Sequence, residues 1–345
     1  MQPALTVMAC LYIMIMVIAI PGNSLILWIT LANRRLRTPT NLMVCNLAVA
    51  GLLLASIQIP FKIFDLLSPI QSRYYYPFSV SVCKMTLMIP GVCVTAISFT
   101  LMAICVDRYR AIVTPIKFKL ITHPVKVAIF LPLCWLFAFS LLAPYGAFAT
   151  IHPWFEQRQV CVVNWMTNHH LDIIFVKNRI VYFIPFSKMI LWLLFIILVF
   201  LVPTIIMTML YSIAARVLWR EGLEKMRMMT SMSLESSSIS RERCASLSLD
   251  EHRLKARKRT IKILIACFIL FIASNLPYYT LLTLFEFKLI QLPNYFVRYG
   301  LINAFVLLNY TCIAYNAIIY GYFNYNFRRN APRWFHLKNY CSQCR

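Results

Sequence analysis

The chain has 345 residues, of which 61% are hydrophobic and only 13% charged, with a net charge of +23. A water-soluble domain carries nearly twice that charged fraction, and a disordered chain carries far fewer apolar residues. The composition therefore excludes both, and leaves the excess of positive charge to be placed.

Seven apolar runs follow in chain order: Leu5–Leu31, Leu42–Leu66, Val82–Val106, Val125–Ala149, Met189–Val217, Ile261–Phe285 and Tyr299–Tyr322. Each has the roughly 20 residues that a helix needs to cross about 30 Å of hydrocarbon. Seven such runs leave no polar faces for a soluble core, and none alternates as a membrane β-strand does. The predicted fold is an all-α membrane protein, a single seven-transmembrane helix bundle over residues 1–345. The first run lacks a basic leader and a small-residue cleavage site, so it is expected to be a retained span after a short outer N-terminus.

Twenty-five of the 34 basic residues fall between spans one and two, three and four, five and six, or after span seven. By the positive-inside rule that side is cytoplasmic, with the N-terminus outside and the C-terminus inside. Anionic inner-leaflet lipid is the expected partner of this charge. No nucleic-acid motif accompanies it.

The longest outer loop is Thr150–Lys188. Within it, Val160-Cys161-Val162-Val163 suits a β-hairpin lid. Cys83 at the outer end of span three and Cys161 both face the oxidising side and are expected to pair. The third inner loop, residues 218–255, is rich in serine (Ser231 through Ser248) and is expected to be a flexible segment open to kinases and arrestin. Residues 323–345 form a juxtamembrane helix and tail ending in Cys341 and Cys344. These are candidate palmitoylation sites, because a zinc site would need a second ligand pair.

At this point the chain resembles a rhodopsin-like (class A) G-protein-coupled receptor. The likeness is carried by Gly22-Asn23 in span one, Leu36-Arg37-Thr38-Pro39-Thr40-Asn41 before span two, and Asn46-Leu47-Ala48-Val49-Ala50 within it. It continues with Asp107-Arg108-Tyr109 closing span three, Trp135 in span four, Phe200, Pro203 and Tyr211 in span five, and Phe271 and Pro277 in span six. Asn316-Ala317-Ile318-Ile319-Tyr320 ends span seven, followed by Phe323 and Phe327-Arg328-Arg329, which suit a short amphipathic helix on the membrane.

The resemblance implies a plasma-membrane receptor that couples an outer ligand to a heterotrimeric G protein. Asp107, Arg108, Tyr109, Tyr211, Phe271, Pro277, Asn316 and Tyr320 are its expected coupling and activation residues. Asp107 would pair with Arg108 at rest. Pro277 would kink span six so that its inner end can swing outward. The chain is expected to perform no chemistry and to need no cofactor or metal; no nucleophile–base pair or phosphate-binding glycine loop is present.

Several positions depart from the family pattern. Gly51 stands where an aspartate holds a buried sodium ion, and Ile97 replaces a serine ligand. Asn23 and Asn316 remain, but two neutral amides do not supply the charge a buried cation needs, so sodium is not expected to regulate this receptor. Ser98 replaces a larger apolar residue. Asn275 replaces a tryptophan, and its amide must find a hydrogen-bond partner. Ala317 replaces a proline, as in melatonin receptors, which share Asn-Ala-x-x-Tyr. The base of span six carries Arg257, Lys258 and Arg259 and no acid, so an ion-pair lock to Arg108 is not expected and some basal activity is.

Tyr310 stands where retinal binders carry lysine, and Pro90 where amine receptors carry aspartate. A peptide ligand is the leading reading, with Asn275, Tyr278, Tyr279 and Tyr310 lining the pocket; nine outer bases against four acids favour one of acidic character. The alternatives are a melatonin-like or lipid small-molecule receptor, or a receptor-shaped protein that does not signal. A transporter or channel would need charges along a membrane path, which the sequence does not supply.

Overall fold

The computed structural model describes residues 2–68, 76–113, 124–154, 158–165, 173–177, 180–234, 241–287, 289–290, 295–323 and 327. Seven helices among them are long and apolar enough to cross a membrane. Span one is Gln2–Ala32 and span three is Val80–Val113. Span four is Pro124–Phe148 and span six begins at Arg241 and runs to Glu286. The remaining three are interrupted by wider π-turns. Span two is helical over Pro39–Leu53 and Ile59–Leu67, with a π-turn at Leu54–Gln58. Span five is Phe186–Phe195, a π-turn at Ile196–Leu201, and Val202–Leu234. Span seven is Tyr295–Ile318 closing in a π-turn at Ile319–Phe323.

Prolines account for two of these interruptions. A proline inside a helix lacks an N–H and crowds the carbonyl four residues back, and an extra residue in the turn relieves the clash. The π-turns of spans two and five lie just ahead of Pro60 and Pro203. In lipid the freed carbonyls need partners, because no water reaches them. Two neighbouring spans supply them. Gln58 Nε2 on span two donates to the Thr86 carbonyl, four residues before Pro90, at 3.2 Å. Ser98 Oγ on span three donates to the Val199 carbonyl, four residues before Pro203, at 2.6 Å.

The outer loop forms a hairpin of β1 (Ala149–Trp154) and β2 (Arg158–Val163), antiparallel with Ile151 opposite Cys161. Cys161 is disulfide-bonded to Cys83, buried at the top of span three. The lid expected from the sequence is therefore a hairpin pinned to the bundle. Trp165, just after β2, packs edge-on against Tyr145 at 5.1 Å and fixes the hairpin to span four. A second hairpin, β3 (Ile173–Lys177) with β4 (Ile180–Ile184), was not anticipated. Its strands, Ile-Ile-Phe-Val-Lys and Ile-Val-Tyr-Phe-Ile, are built from β-branched and aromatic residues, a strand signature that stood unused in the sequence.

The third inner loop also differs from the expected flexible segment. Span five continues as helix to Leu234 and span six starts at Arg241, so most of residues 218–255 has helical backbone. Met, Leu, Glu, Lys and Arg dominate these extensions, and their straight side chains favour helix. Four serines of the patch, Ser236, Ser237, Ser238 and Ser240, lie outside the described residues, as do Cys341, Cys344 and most of the helix expected after span seven. Phe327 of that segment is described and is fully buried.

Candidate functional site

The inner end of span three is organised by the turn before span two. Thr38 caps that helix, accepting from the Asn41 N–H at 3.3 Å, and Pro39 occupies the first turn, where a missing N–H costs nothing. Asn41 donates back to the Leu36 carbonyl at 2.8 Å. The cap aims Thr40 at span three. Its hydroxyl donates to Asp107 Oδ2 at 2.7 Å, and Arg108 Nη2 in turn donates to the same hydroxyl. Arg108 and Asp107 are 3.5 Å apart. Asp107 is buried, and among the described residues its Oδ1 has no hydrogen-bond partner. The expected Asp107–Arg108 pair is thus present, with Thr40 as a third member that sequence reasoning missed. The Thr38-Pro39-Thr40 cap was the available signal for it. Tyr109 is partly buried beside them.

Tyr211 and Tyr320 are both buried at the inner half of the bundle. Tyr211 packs against Phe268 of span six at 5.9 Å between ring centres. Tyr320 lies beside Cys267 of the same span. Phe271 is buried and faces Phe200 at 6.4 Å. Asn316 is buried, and its Oδ1 has no hydrogen-bond partner among the described residues.

Mid-membrane, Asn46 joins three spans. Its Nδ2 donates to Thr100 Oγ1 and its Oδ1 accepts from Trp135 Nε1, both at 2.8 Å. Asn23 donates to the Ala19 carbonyl at 2.8 Å and to the Ile313 carbonyl of span seven at 3.2 Å. A side chain at Gly51 would begin 3.0 Å from Asn23 Nδ2. The Asn23 amide therefore takes the space that a side chain at position 51 would need, with Nδ2 at 3.0 Å and Oδ1 at 3.3 Å from that point. Ile97 of span three is buried and offers only hydrocarbon. This donor set does not fit a sodium ion.

The pocket candidates separate into different packing environments. Tyr279 is enclosed by Trp192, Phe195 and Phe200 of span five at 5.5–6.4 Å between ring centres. Tyr310 is buried against Tyr12 of span one at 6.1 Å. Tyr278 lies between them, 5.1 Å from Tyr279. Asn275 is fully buried and found the partner its amide required. Its Oδ1 accepts from Asn309 Nδ2 of span seven at 2.8 Å.

Nearer the surface, Lys188 of span five pairs with Glu286 of span six, and Trp192 Nε1 donates to Thr283 Oγ1 at 3.0 Å. Tyr299 donates to Asp65 Oδ2 at 2.7 Å, joining spans seven and two. Arg298 lies over the Phe285 ring at 4.9 Å. Two of the four outer acids counted in the sequence are therefore engaged with neighbouring spans.

The family model for the 7 transmembrane receptor (rhodopsin family) matches residues 22–320. The chain belongs to this family. Its members are signalling receptors, not enzymes. Among curated relatives, the Tachykinin-like peptides receptor 86C of Drosophila melanogaster is 29% identical over 79% of this chain. The chain covers only 48% of that relative's length. Neuropeptide FF receptor 2 of Mus musculus is 27% identical over 92% of this chain and 69% of its own length. The Substance-K receptor of Mus musculus is 25% identical over 94% of this chain and 74% of its own. Membership agrees with the residues from Gly22 to Tyr320 that carried the resemblance.

Proposed function

We propose that this receptor binds a peptide at its outer face and passes the event to a heterotrimeric G protein by an outward swing of the inner half of span six. The observation that carries this reading is the asymmetry of span six about Pro277. Outward of Pro277 it is tied to span five by Lys188–Glu286, Trp192–Thr283 and the rings around Tyr279. Inward of it, the contacts to span five include the ring packing of Phe200 on Phe271 and of Tyr211 on Phe268. A proline-weakened helix held at one end and packed through rings at the other moves at the packed end.

Arg108 is the residue that would meet the G protein. In the closed arrangement Asp107 and Thr40 hold it, and release would turn its guanidinium toward the space that opens beside Tyr211 and Tyr320 when span six swings. A ligand drives this only by binding the open state more tightly than the closed one.

The peptide reading is supported by relatives whose names are those of tachykinin-like, neuropeptide FF and substance-K receptors. It is also supported by the β-hairpins of the outer loop, since an extended peptide can add to a strand edge. The N-terminus lies outside and the C-terminus inside, on the distribution of basic residues. The serines of residues 231–248 serve kinases and arrestin, the cytoplasmic basic residues face anionic lipid, and Cys341 and Cys344 carry the lipid anchor.

The test is a neuropeptide-library screen with a promiscuous G-protein reporter, run beside Arg108→Ala. A peptide that raises guanine-nucleotide exchange in the native receptor and not in the variant is the expected result. Exchange unchanged by the substitution would overturn the coupling role.

A further inference from the structure

Asn275 and Asn309 meet within two residues of the span-six proline, in a fully buried setting. Asn275 Nδ2 also donates to the Phe271 carbonyl at 2.7 Å and lies 3.2 Å from Ser274 Oγ. That second bond fixes the amide so that its oxygen points at span seven. Ser274 Oγ is itself 3.2 Å from the Tyr315 hydroxyl, a second polar contact between the same two spans, farther toward the inner side. Ser274 and Asn275 on one helix thus face Asn309 and Tyr315 on the other.

Such a seam is costly to open. Separating the helices takes a buried donor and a buried acceptor away from each other, at a cost for both. Its position matters more than its strength. A bond at the level of a hinge stretches as soon as the inner segment leans outward, whereas contacts well above the hinge do not feel that motion. The bundle also needs a restraint here. Arg108 is held by residues of spans two and three, and the base of span six presents Arg257, Lys258 and Arg259 instead of an acid.

We propose that Asn275 and Asn309 form a latch that holds span six against span seven in the resting receptor, in place of an ion-pair lock at its inner end. Ligand binding then competes with one interhelical amide bond and the Ser274–Tyr315 contact beneath it. The latch rests on the swing of span six proposed above.

The test reads the motion directly. Spectroscopic labels are placed through unnatural amino acids at Arg37 and Arg257, both exposed at the inner side, in purified full-length receptor in lipid nanodiscs with no ligand and no G protein. Asn275→Ala and Asn309→Ala are each expected to raise the fraction of long separations about fivefold, the equivalent of one buried hydrogen bond. The double variant should do little more than either alone, because each single change already breaks the bond. Asn309→Leu keeps the volume and serves if the alanine variant does not accumulate. Lowered thermal stability with an unchanged distance distribution, in Asn309→Ala or Asn309→Leu, would mean a bridge that is structural only, and would overturn the latch. Guanine-nucleotide exchange is measured in parallel. Longer separations without increased exchange would uphold the latch and count instead against G-protein coupling.

Discussion

Ser98 of span three donates to the carbonyl of Val199 in span five at 2.6 Å, and this single bond accounts for a residue that departs from the family. Pro203 removes the N–H that would otherwise reach that carbonyl. A larger apolar side chain at position 98 would leave the carbonyl unpartnered in hydrocarbon. Ser98→Ala should therefore lower receptor stability by about 1–2 kcal/mol, the cost of stranding a buried acceptor, and Ser98→Thr, which retains a hydroxyl, should lose less. Thermal melting of the purified receptor in nanodiscs measures both. Equal melting points for the native and alanine receptors would show that the Val199 carbonyl finds another partner.

The disulfide between Cys83 and Cys161 closes a segment with a sequence separation of 78 residues. It fixes the β1–β2 hairpin over the bundle. Replacing Cys161 with serine frees one edge of the lid and removes a cross-link of a kind worth about 2–4 kcal/mol. The expected outcome is a lower melting temperature and loss of surface display, measured on intact cells. Reductant should reproduce the effect in the native receptor and leave the serine variant unchanged.

Much of this was legible in the sequence because membrane spans obey a short list of constraints. Length and apolarity placed all seven helices, and basic residues outside them gave a topology. Landmarks such as Asp107-Arg108 needed only their neighbours on the chain to be understood. Relationships across spans were not legible in the same way. Nothing in the sequence joins Gln58 to Thr86 or Ser98 to Val199 until helix packing sets their depth. The requirement for a partner was readable at Asn275, but not that Asn309 would meet it. Tyr279 and Tyr310 look alike as aromatic pocket residues in sequence, whereas packing turns one toward span five and the other toward span one. Helix propensity within residues 218–234 and 241–255 is present too, in the Met, Leu, Glu, Lys and Arg that flank the serines.

Thr40 is the third member of the Asp107–Arg108 group, and its hydroxyl serves both residues. Thr40→Val keeps the shape and deletes the hydrogen bonds. Asp107 then loses a donor in a buried setting, and Arg108 keeps one of its two partners among the described residues. Basal guanine-nucleotide exchange should rise severalfold, while Arg108→Ala should abolish exchange altogether. The native receptor should already signal above untransfected cells, because the pair does not reach span six. A native basal level equal to that of untransfected cells would count against this weak restraint at the inner end of span six.

Sodium sensitivity is the remaining test, and the geometry at Gly51 decides it. The Asn23 amide occupies the space beside Gly51, held by the carbonyls of Ala19 and Ile313. It is a neutral group already committed to those carbonyls, and neither Gly51 nor Ile97 offers an oxygen from its side chain. Exchanging sodium for the bulky cation N-methylglucamine at constant ionic strength should leave the melting temperature and basal exchange unaltered. Introducing the missing charge with Gly51→Asp should not create the site by itself. The new Cβ would stand 3.0 Å from Asn23 Nδ2, so the carboxylate would displace the amide or bond to it, and it would be buried without a counter-ion. That variant should be destabilised in sodium and in N-methylglucamine alike. Pairing it with Ile97→Ser supplies the second oxygen ligand and is the change expected to restore a sodium-dependent shift in melting. A sodium-dependent shift in the native receptor, abolished by Asn316→Ala, would show instead that amides and backbone carbonyls alone suffice to hold the ion.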